Sequence, residues 1–187
     1  HRLSFPDNEK VESPSFFYDY REDFKSGRIV VKDFYRDERD NRIYMMIMIP
    51  ISDSLSGGKF TGVYTMRINP DEHLYPFIAY WPFSTESAET LLARRDGGFA
   101  VFLNELRFRK NSALNLRIPL TETDVPVVKG ALGQEGVVEG VDYRGVKVIA
   151  AIRKVPDSPW FLVARIDKSE VYAPFISRLM MAAFIAA

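Results

Sequence analysis

The chain has 187 residues, of which 47% are hydrophobic and 27% charged, so it can bury a core and is not a disordered segment. Its 25 Lys+Arg balance 25 Asp+Glu, and a net charge of zero argues against a dedicated nucleic-acid binder or a polybasic membrane-surface module. The absence of cysteine excludes disulfides, thiol catalysis and cysteine-ligated zinc, and fits an exported domain.

Arg2–Phe5 and Lys10–Ser13 predict a strand pair around Pro6-Asp7-Asn8. Ser15–Lys25 predicts a helix stopped by Gly27. Three strands are expected next, at Ile29–Arg36, Arg42–Pro50 and Phe60–Arg67, the last two joined by Ser52–Lys59 with Gly57-Gly58. A helix over Pro70–Tyr80 leads into a link at Pro82–Ser87. The second half opens with Glu89–Arg95, an Asp96-Gly97-Gly98 turn and Phe99–Asn104, a hairpin signal. Leu106–Thr123 reads as basic and irregular, and Val125–Leu132 as a short helix closed by Gly133. Strands at Gly136–Val141, Val146–Val155 and Trp160–Asp167 precede a terminal helix. Strands grouped together, with helices between and beside them, indicate an α+β fold of mainly antiparallel sheets.

The sequence repeats itself. Residues 67–78 read RINPDEHLYPFI and residues 165–176 read RIDKSEVYAPFI. Arg67/Arg165, Glu72/Glu170, Pro76/Pro174 and Phe77/Phe175 match at a constant offset. Each copy follows an apolar strand and predicts a capping box, with Asn69 or Asp167 as N-cap and Glu72 or Glu170 three residues on. Tyr35-Arg36 and Tyr143-Arg144 close what read as equivalent strands. A spacing of about 100 residues suits tandem domains rather than a solenoid.

The chain opens at His1 without Met or a leader, and from Leu179 to Ala187 it is wholly apolar. That run is too short for a bilayer, which needs about 20 residues. It fits the buried last turns of a helix, or the start of a transmembrane helix with Arg178 at the membrane–water boundary. The expectation is a piece of a longer membrane protein.

No Gly-x-Ser-x-Gly elbow and no phosphate-binding Gly-x-x-x-x-Gly-Lys-Ser/Thr loop occurs. The only histidines are His1 and His73, and no His/Asp/Glu cluster has metal spacing, so neither a metal nor a cofactor is expected. Asp33, Asp37, Glu38 and Asp40 alternate with Arg36, Arg39 and Arg42, which predicts an exposed, self-compensating turn rather than a cation loop. Phe16, Phe17, Tyr18 and Tyr20 fit the buried face of a helix or a stack on a ligand. Arg107–Lys110 reads as a solvated loop or a contact for an acidic partner.

The runs IVVKDFYRD, YMMIMIPI and FTGVYTMRI in the first half resemble the double-Cache (PDC, PAS-like) sensor modules of membrane-bound histidine kinases, chemoreceptors and diguanylate cyclases. So do AETLLARRDGGFAVFLNELRFR and DYRGVKVIAAIRKVPDSPWFLVARIDKSEVYAPF in the second. The resemblance covers nearly the whole chain, without the long helix that ordinarily precedes the first copy. It implies two tandem PAS-like domains, a membrane-distal one at 1–81 and a membrane-proximal one at 82–170. A C-terminal helix at 171–187 then leads to a truncated transmembrane segment. It further implies location outside the cytoplasm as part of an inner-membrane protein, and a homodimeric parent.

Within the first copy, alternation along the strands nominates the ligand-binding residues. Tyr44, Met46 and Met48 share one face of the second strand, Thr65 and Arg67 share a face of the third, and Tyr35 and Asp37 end the first. Alternation leaves open which face meets a pocket, and methionines serve equally as adaptable core filling. Aligned on Gly62-Val63, Arg67 stands where amino-acid-sensing members carry an ammonium-binding Asp, and their Arg-x-Trp-Tyr segment has no match. An arginine there favours a small carboxylate, because a guanidinium pairs with it in two-pronged fashion. The alternative is that Arg67 faces solvent, as its repeat partner Arg165 would.

The expected function is therefore a non-enzymatic, extracytoplasmic sensing domain of a transmembrane receptor, foremost a sensor histidine kinase. It would bind a small anionic metabolite in the first copy and signal through the C-terminal helix. The alternatives are a protein-interaction module with no small ligand, and the sensor of a diguanylate cyclase or chemoreceptor. A small hydrolase or transferase would need an acid, base or nucleophile cluster, and the sequence names none.

Overall fold

The computed structural model describes residues 15–53 and 58–185. The expected strand pair Arg2–Phe5 and Lys10–Ser13 lies outside them, as do residues 54–57 of the glycine loop. The chain divides into two compact units, residues 1–68 and 69–187, each with its own antiparallel sheet.

In the first unit a 3-10 turn, Ser15–Tyr20, runs into α1, Arg21–Lys25. The backbone leaves α1 through Gly27 at φ 77°, the left-handed conformation that glycine tolerates. A five-residue helix is far too short to be stable alone. It is held by Phe24, which is 3% exposed and stacks on Phe60 at 6.3 Å. Strands β1 (Val30–Arg36), β2 (Ile43–Asp53) and β3 (Lys59–Ile68) form a meander in the order β1-β2-β3. Its register sets Lys32 opposite Met46 and Met46 opposite Arg67. Phe24, Val30, Met46 and Met48 make the core, with Phe17, Tyr20, Phe60 and Val63 against it. Each fully buried side chain of this kind contributes about 1.5–3 kcal/mol, so the aromatic layer is what closes so small a sheet.

The second unit begins with α2 (Leu74–Ala79). Strands β4 (Glu89–Asp96), β5 (Phe99–Phe102) and β6 (Arg117–Pro119) precede α3 (Pro126–Ala131). Strands β7 (Gly136–Val141), β8 (Lys147–Lys154) and β9 (Trp160–Asp167) then lead into α4 (Lys168–Ile185). The sheet order is β6-β5-β4-β9-β8-β7, so the first and last long strands lie side by side at its centre. Val127 and Val128 of α3 join a core with Phe102, Ile152, Phe161 and Val163. The approach is close enough to require glycine twice. A Cβ on Gly130 would lie 2.5 Å from the Phe161 ring, and one on Gly140 2.1 Å from the Asp124 carbonyl.

Four expectations change. The irregular stretch Leu106–Thr123 contains β6, which pairs with β5. The helix expected from Pro70 starts at Leu74, because Asn69 accepts from the Asp71 amide and donates to Glu72, making a turn instead of a capping box. In the second copy Glu170 does not reach back to its own helix either. The units divide at 68/69 rather than at 81/82, since α2 packs on β4 and the Tyr75 hydroxyl donates to the Leu103 carbonyl at 2.5 Å. Helix α4 continues through Pro174, and among the described residues no helix is long and apolar enough to cross a membrane.

Candidate ligand-binding site

The turn from β1 to β2 is closed by the Asp37 amide, which donates to the Arg42 carbonyl at 2.8 Å. This draws the Asp37 side chain inward to 7% exposure, while residues 38–42 are exposed and the turn compensates its own charge through Arg39, as expected. Its carboxylate accepts from the Arg39 amide at 3.0 Å, Arg39 Nε at 3.1 Å and Arg39 Nη2 at 2.8 Å. Arg67 Nη1, from β3, donates to the same group at 2.9 Å. The hydrogen bonds from Arg39 hold the Asp37 carboxyl far below the usual carboxylate range, and the charge of Arg67 adds to the effect. The Arg67 guanidinium lies 4.1 Å from the Tyr44 ring centre, and the Tyr44 hydroxyl donates to Asp40 at 2.7 Å.

Beside this network opens a cleft of about 640 Å³, within the first unit. Its polar lining is Arg21, Arg39, Arg67 and Thr65, with Tyr18 at the cleft as well. Its apolar lining includes Phe17, Phe24, Met46, Phe60 and Val63. Of the nominated residues, Met46, Thr65 and Arg67 line the cleft. Asp37 and Tyr44 contact Arg67 without lining it, and the Tyr35 ring packs beside Tyr44 at 6.5 Å. Met48 is fully buried in the core. Arg21 and Arg39 were not nominated. Arg39 sits in the charged turn that read as self-compensating, and Arg21 carries no signal beyond following the aromatic cluster.

The second unit repeats the turn. The Asp142 amide donates to the Val146 carbonyl at 2.9 Å, and Asp142 accepts from the Arg144 amide at 2.8 Å and Arg144 Nε at 2.7 Å. Arg165 of β9 pairs with the same carboxylate at 3.3 Å. Asp37, Arg39 and Arg67 thus correspond to Asp142, Arg144 and Arg165, and the Tyr-Arg pairs matched in the sequence are not at equivalent places. Here two further carboxylates join. Glu89 takes Arg165 Nη2 at 2.5 Å and the Tyr143 hydroxyl at 2.8 Å. Asp167 takes Arg165 Nη1 at 3.1 Å and also pairs with Arg144. Burial and the bond to Glu89 push the Tyr143 hydroxyl up to about 12. Arg165 is 1% exposed, not solvent-facing. Asp142, Tyr143 and Arg165 border a void of only about 10 Å³, while Glu89 also lines an open cleft of about 570 Å³ together with Glu105 and Arg107.

Helix α4 is tied to the segment before β4. Glu170, in its first turn, accepts from Thr85 Oγ1 at 2.8 Å, the Glu86 amide at 3.1 Å and the Ser87 amide at 2.9 Å, and from the Ser87 hydroxyl. These donors, Ser87 first, lower its carboxyl from 4.5 to about 2. A depressed carboxyl stabilises the folded form fully above its unfolded value, and the contribution disappears as pH falls through the folded one. Amide protection at residues 86 and 87 is therefore expected to fall between about pH 4.5 and about pH 2 in hydrogen exchange. In Glu170→Gln that pH dependence should be absent. A variant that keeps it would show that another group controls this joint.

No family model matches the chain, and no curated protein matches its sequence. Solved structures do match. The ligand-binding domain of Mlp24 with asparagine is 15% identical with a TM-score of 0.56, over 89% of this chain and 62% of that one. The ligand-binding domain of the Pseudomonas aeruginosa amino-acid chemoreceptor PctC, in complex with GABA, is 16% identical with a TM-score of 0.55, over 88% and 65%. The extracellular domain of mmHK1S-Z3, described as a candidate histidine kinase, is 16% identical with a TM-score of 0.59, over 88% and 60%. The fold is that of the Cache/PDC-like sensor domains of chemoreceptors and histidine kinases. The chain spans less than two thirds of the length of each of these three.

Proposed function

We propose that this chain is the extracytoplasmic ligand-sensing part of a transmembrane signalling receptor, foremost a sensor histidine kinase. On this reading the two units are two copies of a PAS-like domain. The first binds a small anionic metabolite, and α4 carries the signal toward the membrane in a dimeric parent. The observation that carries the reading is the contrast between copies: the arginines of the same Asp-Arg-Arg arrangement line an open cleft in the first, and in the second they are tied up by the extra carboxylates Glu89 and Asp167. Neighbours of this fold are named for complexes with asparagine and GABA. The described lining of this cleft has three arginines and no carboxylate for an ammonium, which supports an anion instead. On this reading this part of the protein binds a ligand and does not catalyse a reaction.

Binding stabilises by mass action, by about 2.7 kcal/mol at a hundredfold excess over Kd, so thermal melting reads it directly. Among small organic acids, at least one is expected to raise the melting temperature by a few degrees. Arg67→Ala should reduce the response to that acid. If no acid shifts the transition, or the shift survives in Arg67→Ala, the reading fails.

A further inference from the structure

Resting on that reading, we propose that the cleft takes a monocarboxylate with an apolar body, an aryl- or alkyl-carboxylic acid, and rejects free α-amino acids. The charge count comes first. Arg21, Arg39 and Arg67 line the cleft; the carboxylates that interact with Arg67 are Asp37 and Asp40, and Glu22, beside Arg21, is already paired with Lys25. Three cations against two anions leave one positive charge, which a single carboxylate neutralises. In the second unit Asp142, Glu89 and Asp167 outnumber Arg144 and Arg165, and no such charge remains.

The geometry of the donors agrees. Arg67 gives one nitrogen to Asp37 and rests its flat face on Tyr44, so the guanidinium is held in place with its exposed edge, 40% of the side chain, still open. A pre-set planar donor of this kind suits a carboxylate in bidentate contact.

The remainder of the lining sets the body of the ligand. Phe17, Phe24, Phe60, Met46 and Val63 offer rings, a thioether and a branched alkyl group, and beside the arginines the neutral polar groups in the described lining are the hydroxyls of Thr65 and Tyr18. The hydroxyls of a polyol or the second carboxylate of a diacid that fall against these rings and alkyl groups would lose water without gaining partners, at the cost of desolvation. A ring or alkyl chain gains there instead, and about 640 Å³ accommodates it comfortably within the range of small-molecule sites. An α-ammonium would enter a space lined by three guanidinia, with both nearby carboxylates already engaged by Arg39, Arg67 and Tyr44.

Titration calorimetry with benzoate, hexanoate, succinate and L-phenylalanine separates the possibilities. Benzoate or hexanoate is expected to bind at least roughly tenfold more tightly than succinate and L-phenylalanine, as one misplaced charge or lost apolar contact of about 1.4 kcal/mol requires. Phe17→Ala, at a half-buried ring on the margin of the core, should weaken benzoate several-fold without unfolding the unit, checked by circular dichroism. Succinate binding most tightly would overturn the monocarboxylate class while leaving an anion sensor. L-phenylalanine binding as well as benzoate would overturn the rejection of amino acids. No binding by any of the four, with other acids active in thermal melting, would overturn the ligand class alone; silence in both assays would end the sensing reading too.

Discussion

Arg165→Met is expected to lower the unfolding free energy of the second unit by about 3–5 kcal/mol, measured by urea denaturation. Arg165 sits on the central strand β9, is 1% exposed, and holds Glu89, Asp142 and Asp167 together. Removing it strands the buried Glu89 with the Tyr143 hydroxyl and the Arg107 amide but without its cation, and leaves Arg144 to serve both Asp142 and Asp167. Methionine fills much of the volume, so the loss reads the stranded charge rather than a cavity. The double variant Arg165→Met with Glu89→Gln removes that charge and should recover part of the loss. That non-additivity is the signature of direct coupling. A loss below about 1 kcal/mol, or strict additivity, would show that the cluster is solvated and does not organise the unit.

The same cluster places α4. Asp167, the last residue of β9, pairs with Arg144 and Arg165, and its amide donates to Ser87 Oγ at 3.0 Å. Three residues on, Glu170 takes the amides and hydroxyls of residues 85–87. The first turn of α4 is therefore clamped from two sides within its own unit. On the proposed sensing role, a signal leaving along α4 would have to work against this clamp, and no ligand could shift it by more than its difference in affinity for the two arrangements.

Much of this was written in local chemistry. The strands β1–β3 and β7–β9, and the hairpin at Gly97-Gly98, follow from alternation and turn residues, which act over a few neighbours. Strand β6 was hidden because Arg117–Pro119 is only three residues long and gains its identity from pairing with β5. The inward face of the first sheet was illegible for a different reason. Val31, Ile51, Tyr64 and Met66 are exposed on the outer face while Met46 and Met48 are buried on the inner one, so both faces are apolar and the pattern carries no direction. The site suffered most. Arg67 and Asp37 were nominated separately, but their bond spans thirty positions and depends on the turn folding Asp37 under β3. Arg39 was masked by its charged neighbours, and Arg21 reaches the cleft only because α1 packs through Phe24.

Asp37→Asn should move stability and affinity in opposite directions. Asp37 competes with any incoming carboxylate for Arg39 and Arg67, because it already occupies donors of both. Removing its charge raises the positive excess at the cleft by one unit and frees those donors, so benzoate affinity is expected to rise roughly tenfold by calorimetry. The first unit should meanwhile lose about 1–2 kcal/mol, because asparagine accepts more weakly from two guanidinium groups and the Arg39 amide. The pH window follows from the sign of the shift. The Asp37 carboxyl is held below its ordinary 3.8, so its contribution to stability is complete above that value and is lost only as pH falls through the lower folded one. Near neutral pH the native charge is fully present, and the substitution removes all of it. Asp142→Asn is the internal control. It sits in the same turn of a unit whose arginines are saturated by Glu89 and Asp167, so it should lower stability and leave benzoate affinity unchanged. Affinity that falls or stays level in Asp37→Asn would mean that Arg67 and Arg39 serve the turn alone, and that the anion, if bound at all, is held elsewhere.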